Sequence, residues 1–206
     1  MAVQIIVDST ADFSAKEIEK RQITCIPMTV TFGNEQYIDG VDLTKEEFFV
    51  KLTNEKEFPK TSQPSPAKFA DCFEEAKENG DDVVAILVSG ALSGTVQSAT
   101  IAKDIAEHDG VYIVDSKSAT LGIRLLVDRA VRMRDQGKSA KEIAEALDEL
   151  KARVRLFAGL DTLEYLQKGG RISKTAASIG RLAGIKPIIT IDEEGKVAVC
   201  GKQRGN

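Results

Sequence analysis

The 206 residues, 42% hydrophobic and 29% charged, read as globular and long enough for one large or two modest domains. A net charge of −4 argues against wholesale binding of nucleic-acid phosphates, and no apolar run approaches the length of a membrane span. The N-terminus MAVQIIVDS is too short and too quickly acidic for a signal peptide, and Cys25, Cys72 and Cys200 are odd in number and far apart, as free thiols of a reducing cytoplasm would be.

In chain order, Val3–Val7 is an apolar strand stopped by Asp8-Ser9-Thr10, and Ser14 with Glu17 forms a capping box before a short helix. Thr24–Phe32 is β-rich, and Pro27 pushes it to a sheet edge. Gly33-Asn34 and Asp39-Gly40 are turn pairs around a small β excursion outside the main sheet. Thr44 with Glu47 opens a helix carrying Phe48, Phe49 and Leu52. Pro59 to Pro66 contains three prolines and predicts an extended, rigid loop holding Thr61, Ser62 and Gln63, while Ser65 caps the next helix with Pro66 at its first position. Such a loop serves either as a preorganised site or as a plain connector. The helix that follows buries Phe69, Phe73 and Ala76 and ends at Gly80.

Asp81 to Ala99 organises the rest. Val83–Val88 is a continuous run of a kind buried on both faces of a parallel sheet. Ser89 to Thr95 is a Gly/Ser/Thr turn, and Val96–Ala106 is helical. A strand, a hydroxyl-rich turn and a helix in that order place Ser93 and Thr95 at the carboxyl end of the sheet, beside unpaired helical N–H groups that suit an anion. Ser93 reads equally well as a plain N-cap. A further strand, Val111–Val114, ends at Asp115-Ser116, and Ser118 to Gly122 is a third hydroxyl-and-glycine loop. Two helices follow, one with Leu125, Leu126, Ala130 and Met133, the other opened by Ser139 and Glu142 with Ile143, Ala146 and Leu147 on one face. The β–α alternation predicts an α/β fold with a mostly parallel sheet and helices on both faces.

The pattern changes near Arg153, so we divide the chain into an α/β domain over 1–153 and the start of a second α/β domain over 154–206. Within the second, Arg155–Leu160 is a strand, and a short helix with Leu163, Tyr165 and Leu166 runs into Lys168-Gly169-Gly170-Arg171. Lys174–Leu182 is a small-residue helix, Ile185–Ile191 a strand broken by Pro187, and Asp192 to Gly195 a hairpin loop before Lys196–Cys200.

The chemistry is one of neutral hydroxyls. His108 is the sole histidine and sits in a surface turn, no His/Cys metal spacing occurs, and neither a phosphate-binding glycine loop nor a G-x-S-x-G elbow is present. The profile suits binding more than bond-breaking, and it calls for no cofactor.

Read together, Asp8-Ser9-Thr10-Ala11-Asp12, Thr61-Ser62-Gln63-Pro64-Ser65, Ser89 to Ala99, Asp115-Ser116 with Gly122, Leu163 to Leu166 through Gly169-Gly170-Arg171-Ile172, and Ile185-Lys186-Pro187 resemble the DegV family of bacterial fatty-acid-binding proteins over essentially the whole chain. The resemblance implies a carrier and not an enzyme. A long-chain fatty acid such as palmitate would lie between two domains, its carboxylate held by Thr61 and Ser93 with Ser62 close by and Arg171 near the head group. Ser9, Thr10, Gly94, Thr95 and Gly122 would belong to the supporting loops. The partner would be a fatty acid kinase that makes the acyl phosphate. Two departures stand out. Arg124 replaces a small residue just after Gly122, and family members continue past the hairpin to supply a later histidine. The second domain is therefore expected to be incomplete, with self-association or low stability after Arg153. Two rivals follow from this. One is a magnesium-dependent small-molecule phosphotransferase using Asp8 and Asp12, and the other is a truncated carrier without ligand-binding activity.

Overall fold

The computed structural model describes residues 2–177 and 185–204. At its centre four strands run parallel in the order β2-β1-β6-β7: β1 (Val3–Asp8), β2 (Thr24–Ile26), β6 (Asp82–Leu87) and β7 (Val111–Asp115). Their residues are β-branched and apolar, and successive side chains point to opposite faces. Ile5, Val7, Val84, Ile86 and Val114 therefore meet α5 (Leu121–Asp135) and α6 (Ala140–Lys151) on one side. Ile6, Val83, Ala85, Leu87 and Val111 meet α3 (Pro66–Glu78) and α4 (Thr95–Ala106) on the other. Phe69 and Phe73 fill the α3 side, and Ala99, Ala102 and Ala106 let α4 lie close to the sheet. The expected α/β architecture, a parallel sheet covered on both faces, is what this chain forms.

All three capping boxes are present. Ser14 precedes α1 (Ala15–Arg21), Thr44 precedes α2 (Lys45–Asn54) and Ser139 precedes α6, each accepting from the third helical N–H while Glu17, Glu47 or Glu142 accepts from the cap backbone. Ser65 caps α3 as read. The β excursion is a separate antiparallel sheet of β4 (Glu35–Ile38), β3 (Thr29–Phe32) and β5 (Lys60–Ser62). A third sheet has the order β10-β9-β8, from β8 (Phe157–Gly159), β9 (Ile185–Ile191) and β10 (Val197–Arg204). Between its strands lie α7 (Glu164–Lys168) and α8 (Lys174–Ala177), over a small core of Leu163, Ile172 and Ile189. Cys25, Cys72 and Cys200 are unpaired.

Several readings need correction. Thr24–Phe32 is two strands in two sheets, divided at Pro27-Met28. Within the proline-rich segment, expected to be an extended, rigid loop, Lys60–Ser62 is a strand that pairs with Thr29–Thr31, and 63–65 lie outside any element. Leu125 is exposed, because the buried face of α5 is set by Ile123, Leu126, Val127 and Ala130 and Leu125 points away from it. Phe49 is also exposed on α2. Pro187 does not break β9. Its carbonyl accepts from Leu160 N–H, so its missing donor faces the side where β8 has already ended. His108 is half-buried: Nδ1 accepts from Gly110 N–H, and Nε2 lies 2.8 Å from Asp81 O, to which it donates as the neutral tautomer. The expected helix over Lys174–Leu182 is described to Ala177, and 178–184 lie outside the described residues.

Candidate functional site

Strand order 2-1-6-7 places a topological switch point between β1 and β6. The chain leaves β1 toward β2 on one side and returns as β6 on the other, so the loops at the carboxyl ends of β1 and β6 diverge and leave a crevice. Asp8 sits at the floor. It is fully buried, and its carboxylate accepts from Val88 N–H at 2.7 Å, from Thr10 N–H at 3.0 Å and from the Thr10 hydroxyl. Burial raises its pKa, while the bonds from Thr10 and Val88 oppose that rise. These bonds tie the end of β1 to the end of β6. Asp12 ends the short 3-10 turn Ser9–Ala11 with a left-handed backbone and is exposed, pairing with Lys45 at 2.7 Å. One carboxylate is thus sealed in the floor and the other is engaged at the surface. No cluster of three or more His, Cys, Asp or Glu that could hold a metal ion occurs among the described residues. The geometry supports neither member of the carboxylate pair that the phosphotransferase reading requires.

Above the floor, Ser89 organises the turn to α4. Its carbonyl accepts from Leu92 N–H and Ser93 N–H, its hydroxyl from Ala91 N–H, and its own N–H donates to Ser118 O. Ser93 does not cap α4. Gly94 holds that position without a side-chain bond, and Ser93 Oγ is instead 2.8 Å from Thr95 Oγ1. Thr95 is buried and helical, its hydroxyl also facing Met28 Sδ at 3.9 Å, whereas Ser93 is half-buried. The pair leaves Ser93 as the accessible member of a two-hydroxyl relay.

Thr61 and Ser62 belong to a different sheet, and no hydrogen bond joins either of them to Ser93 or Arg171 among the described residues. They are exposed on β5, and Gln63 immediately beyond them lies against Gly94, where a Cβ would come within 2.8 Å of its Nε2. Ser9 Oγ accepts from Met28 N–H at 3.0 Å, holding the β1 loop to the start of β3 and hence to the sheet that carries Thr61. Arg171 comes from beyond α7. Its Nε donates to Leu92 O at 3.2 Å, and Nη1 donates to Gly169 O. The Phe58 ring stacks on Tyr165 at 6.0 Å between centroids, which links the segment before β5 to α7. Gly122 lies deeper, against Ser118, where a methyl group would overlap Ser118 Oγ and sit 2.8 Å from Ser118 Cβ. Arg124 bonds Asp12 O and pairs with Glu17, so it braces the β1 loop from outside.

Sequence reasoning missed two contributors. In the sequence Gln63 belongs to a polar loop, and nothing there marks it as a neighbour of the Ser93 turn. Gly195 is a hairpin residue in the sequence, and at φ +83 it packs on Ser89, where a methyl group would overlap Ser89 Oγ and sit 3.2 Å from Lys117 Cδ. A Gly preceded by acidic turn residues announces a hairpin but not the surface on which the hairpin lands.

A family model described as "Uncharacterised protein, DegV family" matches residues 2–206. The chain belongs to the DegV family. A DegV domain-containing protein of Caldanaerobacter subterraneus subsp. tengcongensis is 39% identical over 203 residues, 98% of this chain and 72% of the relative. A stearic acid-binding protein of Eubacterium ventriosum has a similar structure, with 36% identity, a TM-score of 0.90, and 100% of this chain matched to 72% of that one. A Fatty Acid Kinase (Fak) B3 protein of Streptococcus pneumoniae, solved with linoleic acid, gives 28% identity and a TM-score of 0.87, with 100% of this chain matched to 74% of that one. Among the described residues of this DegV chain, no helix is long and apolar enough to cross a membrane.

Proposed function

We propose that this chain is a fatty-acid carrier. Thr61 and Ser93 hold the carboxylate with Ser62 beside them, Arg171 stands near the head group, and the segment from residue 154 onward covers the acyl chain. The observation that carries this reading is the convergence of three separate segments on one turn: Gln63 against Gly94, Arg171 on Leu92 O, and Gly195 on Ser89. The fatty acids held by the Eubacterium ventriosum and Streptococcus pneumoniae neighbours support the ligand class.

The energetics suit the role. Each methylene removed from water contributes about 0.8 kcal/mol, so a long tail offers roughly 10 kcal/mol gross, and the head-group site needs only to set orientation. Neutral hydroxyls also leave the carboxylate open to a phosphorylating partner, which a bidentate arginine clamp would shield. The carrier then presents its ligand to a fatty acid kinase and performs no chemistry itself. The Streptococcus pneumoniae neighbour's description as a fatty acid kinase B3 protein is what supports this partner.

Native mass spectrometry of the purified protein should show a retained fatty acid. A hydrogen bond to a charged acceptor is worth roughly 1.5–3 kcal/mol, so Thr61→Val and Ser93→Ala should each weaken palmitate binding about tenfold to a hundredfold. The two effects should be non-additive because both act on one carboxylate, and hexadecanol binding should change far less. Equal losses for acid and alcohol, or no loss for either variant, would remove these residues from the head-group site.

A further inference from the structure

Along α5 and α6 runs a groove of about 750 Å³ lined by Leu125 and by Ala146, Leu150 and Val154, which also pack against the core, and rimmed by Arg129, Arg132, Arg153 and Arg155. The spacing is regular. Leu125, Arg129 and Arg132 lie one and two turns apart on α5, and Ala146, Leu150 and Arg153 do the same on α6 and just past its end. Each row spans about 10 Å at 1.5 Å per residue. The helices are antiparallel neighbours, since Val154 comes within 3.5 Å of a methyl built at Gly122.

Two features set this groove apart. Leu125 is 57% exposed and Leu121, one turn before it, 63% exposed, so α5 presents apolar side chains to solvent beside its arginines. The arginines also lack acidic partners among the described residues. Arg132 and Arg155 bond only backbone carbonyls, and Arg129 and Arg153 make no ion pair with any described residue. On the adjoining faces Arg21 pairs with Asp128, Arg124 with Glu17 and Arg134 with Asp135. Glu149 is the single acid in the groove lining, so four positive charges face one negative in a chain whose net charge is −4.

We propose that this groove docks an acidic amphipathic helix of a protein partner, its apolar ridge on Leu125, Ala146, Leu150 and Val154 and its flanking carboxylates on the four arginines. Unpaired arginines beside exposed leucines are what an interface rich in arginine and apolar anchors presents before it closes. The concave shape and the two-turn length favour a helix over a lipid surface, which would need the apolar residues to protrude beyond the charges. None of the residues assigned to the head group lines the groove, so the proposal stands or falls independently of that assignment.

The probe is an 18-residue peptide with leucines at positions i, i+3/i+4 and i+7 and glutamates beside them, compared with its all-glutamine counterpart and with phosphatidylcholine/phosphatidylglycerol vesicles. The glutamate peptide should bind saturably and shift amide resonances mainly over residues 121–132 and 146–155. The glutamine peptide should bind at least tenfold more weakly, and Arg129→Glu with Arg153→Glu should cost the glutamate peptide a similar factor. Should charge reversal unfold the chain, Arg129→Gln with Arg153→Gln removes the charge alone and carries the same expectation. No saturable peptide binding, equal affinity for the two peptides, shifts mapping elsewhere, or adsorption to the anionic vesicles in preference to the peptide would each overturn the proposal.

Discussion

Asp8 is the one buried carboxylate among the described residues, and it links two strand ends that the sequence separates by 80 positions. Its pKa is raised by burial, so the folded chain takes up a proton at higher pH than the unfolded chain does. The group therefore favours folding at low pH, and that contribution is lost as pH rises through the raised value. Asp8→Asn removes this dependence. Urea midpoints measured between about pH 4 and 7 should show the wild-type chain losing stability relative to the variant as pH rises. A difference that stays constant, or that moves the other way, would show that burial is not what governs Asp8. Gly122 makes a second residue-scale test. An added methyl overlaps Ser118 Oγ in a packed region, so Gly122→Ala should cost about 1–3 kcal/mol, and Ser118→Gly in that background should restore part of it. Thermal unfolding of the single and double variants measures both.

At the scale of elements, the capping boxes behave oppositely to Asp8 as pH changes. Glu142 has its pKa lowered to about 2, first by Lys138 and then by its bonds with Ser139. Glu17 is lowered to about 2, first by the Ser14 backbone N–H. A depressed carboxylate stabilises the fold above its ordinary value of 4.5, and that support is lost as pH falls toward 2. Ser139→Ala should therefore destabilise the chain by about 0.5–2 kcal/mol at neutral pH and by less near pH 2. Equal destabilisation at both pH values in chemical unfolding would show that Glu142 adds nothing to the cap. The strand that carries Thr61 was unreadable for a local reason. Three prolines in eight residues look like a connector, but none occupies Lys60–Ser62, and the bonding partners of those residues lie on β3, about 30 positions earlier.

Over the whole molecule, packing is unequal. The parallel sheet is enclosed by two extensive clusters, whereas among the described residues β8, β9 and β10 enclose Leu163, Ile172 and Ile189 with partly buried neighbours, and Phe157 on β8 is 64% exposed. Local opening follows the amount of buried apolar contact. Hydrogen exchange should accordingly be fastest, after the termini and surface loops, over 157–159 and 185–204, and slowest in β1 and β6. Uniform protection across all three sheets would contradict that ordering.

Much of this was already set by local pattern. The apolar run Val83–Val88, the three Ser/Thr-x-x-Glu boxes, Pro66 at a helix start and the β–α alternation each act through neighbours a few residues away, so they determined the parallel sheet, its helices and their limits. They also marked the Ser89–Thr95 turn as a place where hydroxyls meet a helix end. Tertiary structure decided the rest. Only the packing of distant segments shows that Gln63 and Arg171 close on the same turn, and only the folded turn shows that Ser93 pairs with Thr95 and does not cap. Packing also shows that Gly195 seats a hairpin on Ser89, and that Leu125 faces solvent beside four arginines with no acidic partner among the described residues. The physical reason is range. Helix caps and buried strands depend on local hydrogen bonds and hydrophobic period, whereas a binding site depends on which remote surfaces the packed core brings within a few ångströms of one another.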